Sequence, residues 1–182
     1  MLEKAVLDAA LDQLRTVGYA GLTMEGVAAA AGTGKAALYR RWANRDELVA
    51  AALGSVLPDP AELRLGGSVR DDLLTLLGCI RDAISLTHGT VFQVVRSEAA
   101  GAGGLMHTVV GRRVMDPCDA RIAEVLARGV RSGQLRPGAD SELVATVGPA
   151  MIVHYVVHQA PTVPDAHLRS IVDEVLMPLV SA

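Results

Sequence analysis

The chain has 182 residues, is 51% apolar but only 3% aromatic, and carries a formal charge of −3. That length suffices for one good core or two small ones, and the slight acidic excess excludes a uniformly basic nucleic-acid binder, so charge has to be read segment by segment. Ala, Leu and Val recur at helical spacing and alternating β-branched runs are scarce, which predicts an all-α protein.

The first helix is expected from Leu2 to about Val17, with Val6, Ala10, Leu14 and Val17 on one stripe. Glu3, Lys4 and Asp8 interrupt its apolar run, so no secretory signal is read there. Gly18 supplies a left-handed cap. Thr23 is a natural N-cap for a short second helix through Ala31, and Gly32-Thr33-Gly34 makes a tight turn. A third helix follows over Lys35 to Trp42. Asn44 caps a fourth from Arg45 to about Val56, with Asp46 and Glu47 at its positive end.

Pro58 and Pro60 stop that helix and Gly66-Gly67 loosens the chain, which places a domain boundary there: 1–57 and 58–182. Ser68 to Asp71 resembles a capping box opening a helix to about Thr87. Further helices are expected at 90–100, 104–115 and 118–132, the last started by Asp116-Pro117. The final pair spans about 141–158 and 165–180, and Pro149 should kink the former. That makes about nine helices in all. Cys79 and Cys118 lack a CxxC spacing and suit reduced, half-buried thiols of a cytoplasmic protein. The longest apolar run, Leu143 to Val153, is too short to span a bilayer.

The segment TGKAALYRRWANRDEL, residues 33–48, gathers Lys35, Arg40, Arg41 and Arg45 before its first carboxylate. On a helical wheel Leu38 and Trp42 point to the core, while Ala36, Ala37 and Arg40 point away. Tyr39 and Lys35 lie on one flank, Arg41 on the other. Two alanines and an arginine form a face small enough to enter a DNA groove. Arginine can bond guanine O6 and N7 together, the commonest base-specific contact. Lys35, Tyr39 and Arg45 fall at the edges, where phosphates run. Two short helices joined by a glycine turn, the second carrying this face, make a helix-turn-helix. Residues 1–57 hold six Lys/Arg and six Asp/Glu, so the whole acidic excess lies in the rest of the chain.

The run VLDAALDQLRTVGYAGLTMEGVAAAAGTGKAALYRRWANRDELVAAAL, residues 6–53, resembles the DNA-binding domain of the TetR family of bacterial transcription regulators. The Gly18-Tyr19 hinge, the LTM before the second helix and the LY…W…RDEL ending all fall in register. The resemblance implies a helical homodimer that usually represses transcription and leaves a near-palindromic double-stranded DNA operator when a small molecule binds its C-terminal domain. By position, Thr23, Tyr39 and Arg45 resemble phosphate-contacting sites, and Lys35, Ala36 and Arg40 resemble groove-facing ones. Gly34 and Ala37 stand where the family often has serine and threonine, so a capping hydroxyl and one contact are missing. The basic arm common ahead of the first helix is absent.

No catalytic fingerprint is present in the later helices, so no enzyme and no cofactor are expected. His154 and His158 share a helix face at metal-ligand spacing, but nothing nearby completes a site, and no metal is assigned. Ile80, Ile84, Phe92 and Met106 are candidates to line an effector pocket, together with Val110, Met151 and Tyr155. The effector's identity is unknown. Leu143 and Val147 on one helix, with Leu168, Ile171, Val172, Val175 and Leu179 on the next, form a second apolar seam; the resemblance implies that this pair builds a four-helix dimer interface. The alternative left open is a small-molecule or metal binding protein whose DNA binding is impaired.

Overall fold

The computed structural model describes residues 2–86 and 107–181. Among them every regular element is helical, apart from one isolated bridge between Leu135 and Ser181. They form two compact units, one built on residues 2–57 and the other on 58–86 and 110–181.

In the first unit, α1 (Leu2–Thr16) buries Val6, Ala9, Ala10 and Leu14. It ends one residue short of the expected Val17, which is left exposed. Gly18 has φ +70°, a left-handed backbone that glycine adopts without steric cost. It turns the chain into an extra helical turn, α2 (Gly18–Gly21), which buries Tyr19. Thr23 caps α3 (Met24–Ala30) as expected, its hydroxyl accepting the Gly26 N–H at 3.0 Å. α1 and α3 approach so closely at Gly26 that a Cβ there would lie 2.8 Å from Gln13 Nε2.

The next helix, α4 (Lys35–Tyr39), is shorter than the expected Lys35–Trp42. The N–H groups of Arg41 and Trp42 both turn back to the Leu38 carbonyl at 2.9 Å. Asn44 then accepts the Glu47 N–H at 2.9 Å while the Glu47 carboxylate accepts the Ala43 N–H at 2.8 Å. This reciprocal pair satisfies donors at the start of α5 (Arg45–Gly54) and fixes the chain reversal. Leu22, Leu38, Trp42, Leu48 and Leu53 close the core of the unit.

In the second unit, Gly66-Gly67 is not the loose joint its composition suggested. Asp72 of α6 (Val69–Leu86) is buried, and its carboxylate accepts the N–H groups of Gly66 and Gly67 at 3.0 and 3.2 Å. It also pairs with Arg128. Burial by itself would raise the Asp72 pKa; the Arg128 hydrogen bond and the two backbone donors outweigh it and hold the group below its ordinary 3.8. Arg121 donates to the Pro60 and Leu63 carbonyls. Both arginines belong to α7 (Asp116–Arg131), so one helix straps the linker down.

A carboxylate whose folded pKa is depressed stabilises the fold above its unfolded pKa, and that contribution is lost as pH falls through the folded value. Asp72→Asn should therefore destabilise the protein at neutral pH by about 1–3 kcal/mol. Thermal melts should show the gap between variant and parent narrowing below about pH 4.

The expected helix start at Asp116-Pro117 is not a start. A π-wound stretch, His107–Met115, runs without a break into α7. Proline lacks an N–H, and its ring opposes the carbonyl one α-turn back; a wider π turn moves that carbonyl aside. α8 (Glu142–His158), capped by Ser141, is assigned as one helix through Pro149. A Cβ at its Gly148 would lie 2.9 Å from Leu77 Cδ2, which marks the close approach of α8 to α6. The final helix repeats the device of α7: α9 (Asp165–Ser170) passes through a π segment, Ile171–Leu176, into α10 (Met177–Val180), whose second residue is Pro178. Cys79 and Cys118 are both buried, deeper than expected.

Candidate nucleic-acid interface

α3 and α4 are joined through Gly32 at φ +63°, with the Thr33 N–H returning to the Ala28 carbonyl at 2.9 Å. Leu38 and Trp42 anchor α4 in the core at 1% and 7% exposure. Ala36, Lys35, Tyr39 and Arg40 are exposed on the remaining surface. Gly34 stands at the N-cap of α4 with no side chain to cap it. Thr23 uses its hydroxyl oxygen as a cap acceptor, which leaves the proton for an outside acceptor such as a phosphate.

The four cations of the segment have different surroundings. Lys35 pairs with Glu25 of α3, and its Nζ lies 5.6 Å from the centre of the Tyr39 ring. Arg41 pairs with Glu3 of α1 at 2.5 Å. Arg45 is half-buried: its guanidinium stacks 4.2 Å over the Tyr19 ring, donates to the Tyr19 carbonyl at 3.3 Å and lies 3.6 Å from Asp46. The Tyr19 hydroxyl donates to that same Asp46 at 2.5 Å. Burial, then the Asp46 hydrogen bond, push the Tyr19 phenol up, so it stays a neutral donor. Arg40, the helix's C-cap, has no ion pair among the described residues.

Sequence reading missed Tyr19, Asp46 and Glu25. Tyr19 and Asp46 lie 27 residues apart, and Tyr19 meets its partners only because Gly18 starts an unexpected turn. The Glu25–Lys35 pair depends on the angle between α3 and α4, which no periodicity encodes.

Of the candidate pocket residues, Ile80, Ile84 and Val110 are buried, and Met151 and Tyr155 are half-buried. Phe92 and Met106 lie outside the described residues. The Tyr155 ring stacks on His167 at 4.3 Å, and the His154 and His158 rings sit 4.7 Å apart. Among the described residues no group of three or more side chains could hold a metal ion.

The expected dimer seam divides in two. Leu143 is 78% exposed, and Val147, Val175 and Leu179 also reach the surface. Leu168, Ile171 and Val172 are buried within their own protomer, so they cannot meet a partner directly. The π segment causes the split. Its wider winding shifts the phase of a 3.6-residue wheel, so the buried line runs Leu168, Val172, Leu176, Val180 and turns Val175 and Leu179 outward. Among the described residues no helix is long and apolar enough to cross a membrane.

The family model for the tetracyclin repressor-like C-terminal domain matches residues 65–175, and that for bacterial regulatory proteins of the tetR family matches residues 6–52. The chain is 31% identical over 180 residues to the DNA-binding transcriptional repressor TetR of Mycobacteroides abscessus, covering 97% of this chain and 92% of that one. It is 30% identical over 177 residues to an uncharacterized HTH-type transcriptional regulator of Mycobacterium bovis, covering 97% and 86%. Its fold is similar to a crystal structure of a TetR transcriptional regulator from Agrobacterium tumefaciens, with TM-score 0.71, 23% identity and coverage of 100% and 95%.

Proposed function

Since the chain belongs to the TetR family of bacterial transcription regulators, we propose that it is a homodimeric repressor whose helix-turn-helix reads a near-palindromic operator and is released when a small, largely apolar effector binds the C-terminal domain. Arg40 carries this reading. It is the exposed cation at the end of α4 that no carboxylate among the described residues engages, and Leu38 and Trp42 hold its helix in the core. Arg45, stacked on Tyr19, and Thr23, with its proton outward, take phosphates beside it. Residues 1–57 serve as the DNA-binding domain and 58–182 as the effector and dimerisation domain.

Selection from a random duplex library tests this directly. The expected product has two related half-sites whose centres lie about one helical turn apart, roughly 34–36 Å, to match a two-fold dimer. Recovery of no preferred sequence would favour the rival reading, a small-molecule binder that has lost its DNA function. Effector release is expected to weaken operator binding by about 5–150-fold, the usual range of coupling between two sites. A screen of small apolar compounds by operator release checks it, and a hit that binds without releasing DNA counts against the coupling.

A further inference from the structure

The basic segment is electrically balanced by the protein itself. Lys35 and Glu25 are both exposed, with side chains 54% and 59% accessible, so water would screen them well if they did not meet. They meet nonetheless, across the α3–α4 turn, at the edge of the face proposed to enter DNA. The pair also leaves its mark on both protons: hydrogen bonding to Glu25 raises the Lys35 pKa, and hydrogen bonding to Lys35 lowers that of Glu25. Arg41 is balanced by Glu3 in the same way.

Resting on the DNA-binding reading above, we infer that Glu25 is a specificity-determining residue: its carboxylate occupies the Lys35 ammonium as an internal substitute for a phosphate, so that only the correct operator draws the lysine away. Affinity for DNA of any sequence comes almost wholly from cations that neutralise phosphates and displace bound counter-ions. A lysine already neutralised adds little to that term. On the operator, base contacts from Arg40 fix the helix in the groove, and a phosphate held at a set position can then compete with Glu25. On random DNA no such register exists and Lys35 remains with its carboxylate. Glu25 thus lowers non-specific binding more than specific binding, and it never touches a base.

The test is Glu25→Gln, an isosteric change at an exposed site, measured on random duplex and on the selected operator across a salt series. For random duplex the plot of log affinity against log salt should steepen by about 0.9 per protomer, the value of one added phosphate contact. Between 50 and 200 mM salt that is about a three- to fourfold larger loss of affinity per protomer. Operator binding should change less, so the ratio of specific to random affinity falls. The steepening should vanish in a Lys35→Gln background, since no cation is then released. An unchanged random-duplex slope overturns the inference, as does an equal gain on both DNAs, or the same gain from the remote Glu62→Gln. A change of base preference with unaltered random binding also overturns it, because Glu25 would then be reading a base. Failure of the parent protein to select any operator is a separate result and strikes the DNA-binding reading first.

Discussion

Replacing Arg40 by alanine is expected to weaken operator binding by about 1–3 kcal/mol per half-site and to relax the base preference at one position in each. The side chain is exposed, and the residue's helical role is carried by its backbone N–H, which bonds the Ala36 carbonyl at 3.3 Å. Truncation should therefore leave the melting temperature nearly unchanged while it removes base reading. Two half-sites multiply the effect, since the dimer loses the contact twice. Tyr39→Phe and Arg45→Ala form the contrast: phosphate contacts carry no sequence information, so both should lower affinity for all sequences alike. Operator selection with the Arg40→Ala protein decides the matter. Recovery of the parent site at parent affinity would move base reading elsewhere on α4.

Leu143→Glu should convert the protein into folded monomers that no longer hold the operator. Leu143 is the most exposed of the large apolar side chains on the described surface, at 78%, so charge there costs the isolated protomer almost nothing. In a two-fold seam built from α8 and the last helix, the same carboxylate is buried from both sides. The effective penalty is several kcal/mol per buried ion, which corresponds to at least about a thousandfold loss of dimerisation. Val175→Glu, on the outward side of the π segment, should act in the same direction. Sedimentation reads the outcome, with thermal melting to show that the monomer is folded. A Leu143→Glu protein still dimeric at micromolar concentration would place the seam on another face.

Local signals in the sequence carried the DNA-binding unit well. Thr23 and Asn44 cap the helices they were expected to cap, and Leu38 and Trp42 face inward as the wheel required. These features depend on neighbours within four residues. What escaped depends on chain segments far apart or on departures from the α period. Tyr19 meets Arg45 and Asp46 only after the fold is complete. Gly66-Gly67 looked like a flexible joint because composition cannot show that Asp72 and Arg128 will bind its N–H groups and each other. Pro117 was read as a helix start because a proline normally is one; a preceding π turn removed the clash that the rule assumes.

The π segment at Ile171–Leu176 also bears on how this chain tolerates insertions and deletions. Each residue of an α-helix turns the next by about 100°. Losing one residue inside the segment would let the helix rewind to the ordinary period and rotate everything after it by about that angle. Leu176 and Val180 would leave the interior, and Val175 and Leu179 would turn toward it. All four are aliphatic, so the rewound helix could still fill its core, whereas the surface offered to a second copy would change completely. A one-residue deletion here is thus a route by which a relative could keep its fold and lose, or exchange, its partner. Sequence comparisons that slide a gap freely across 171–176 will pair inward positions of one protein with outward positions of another.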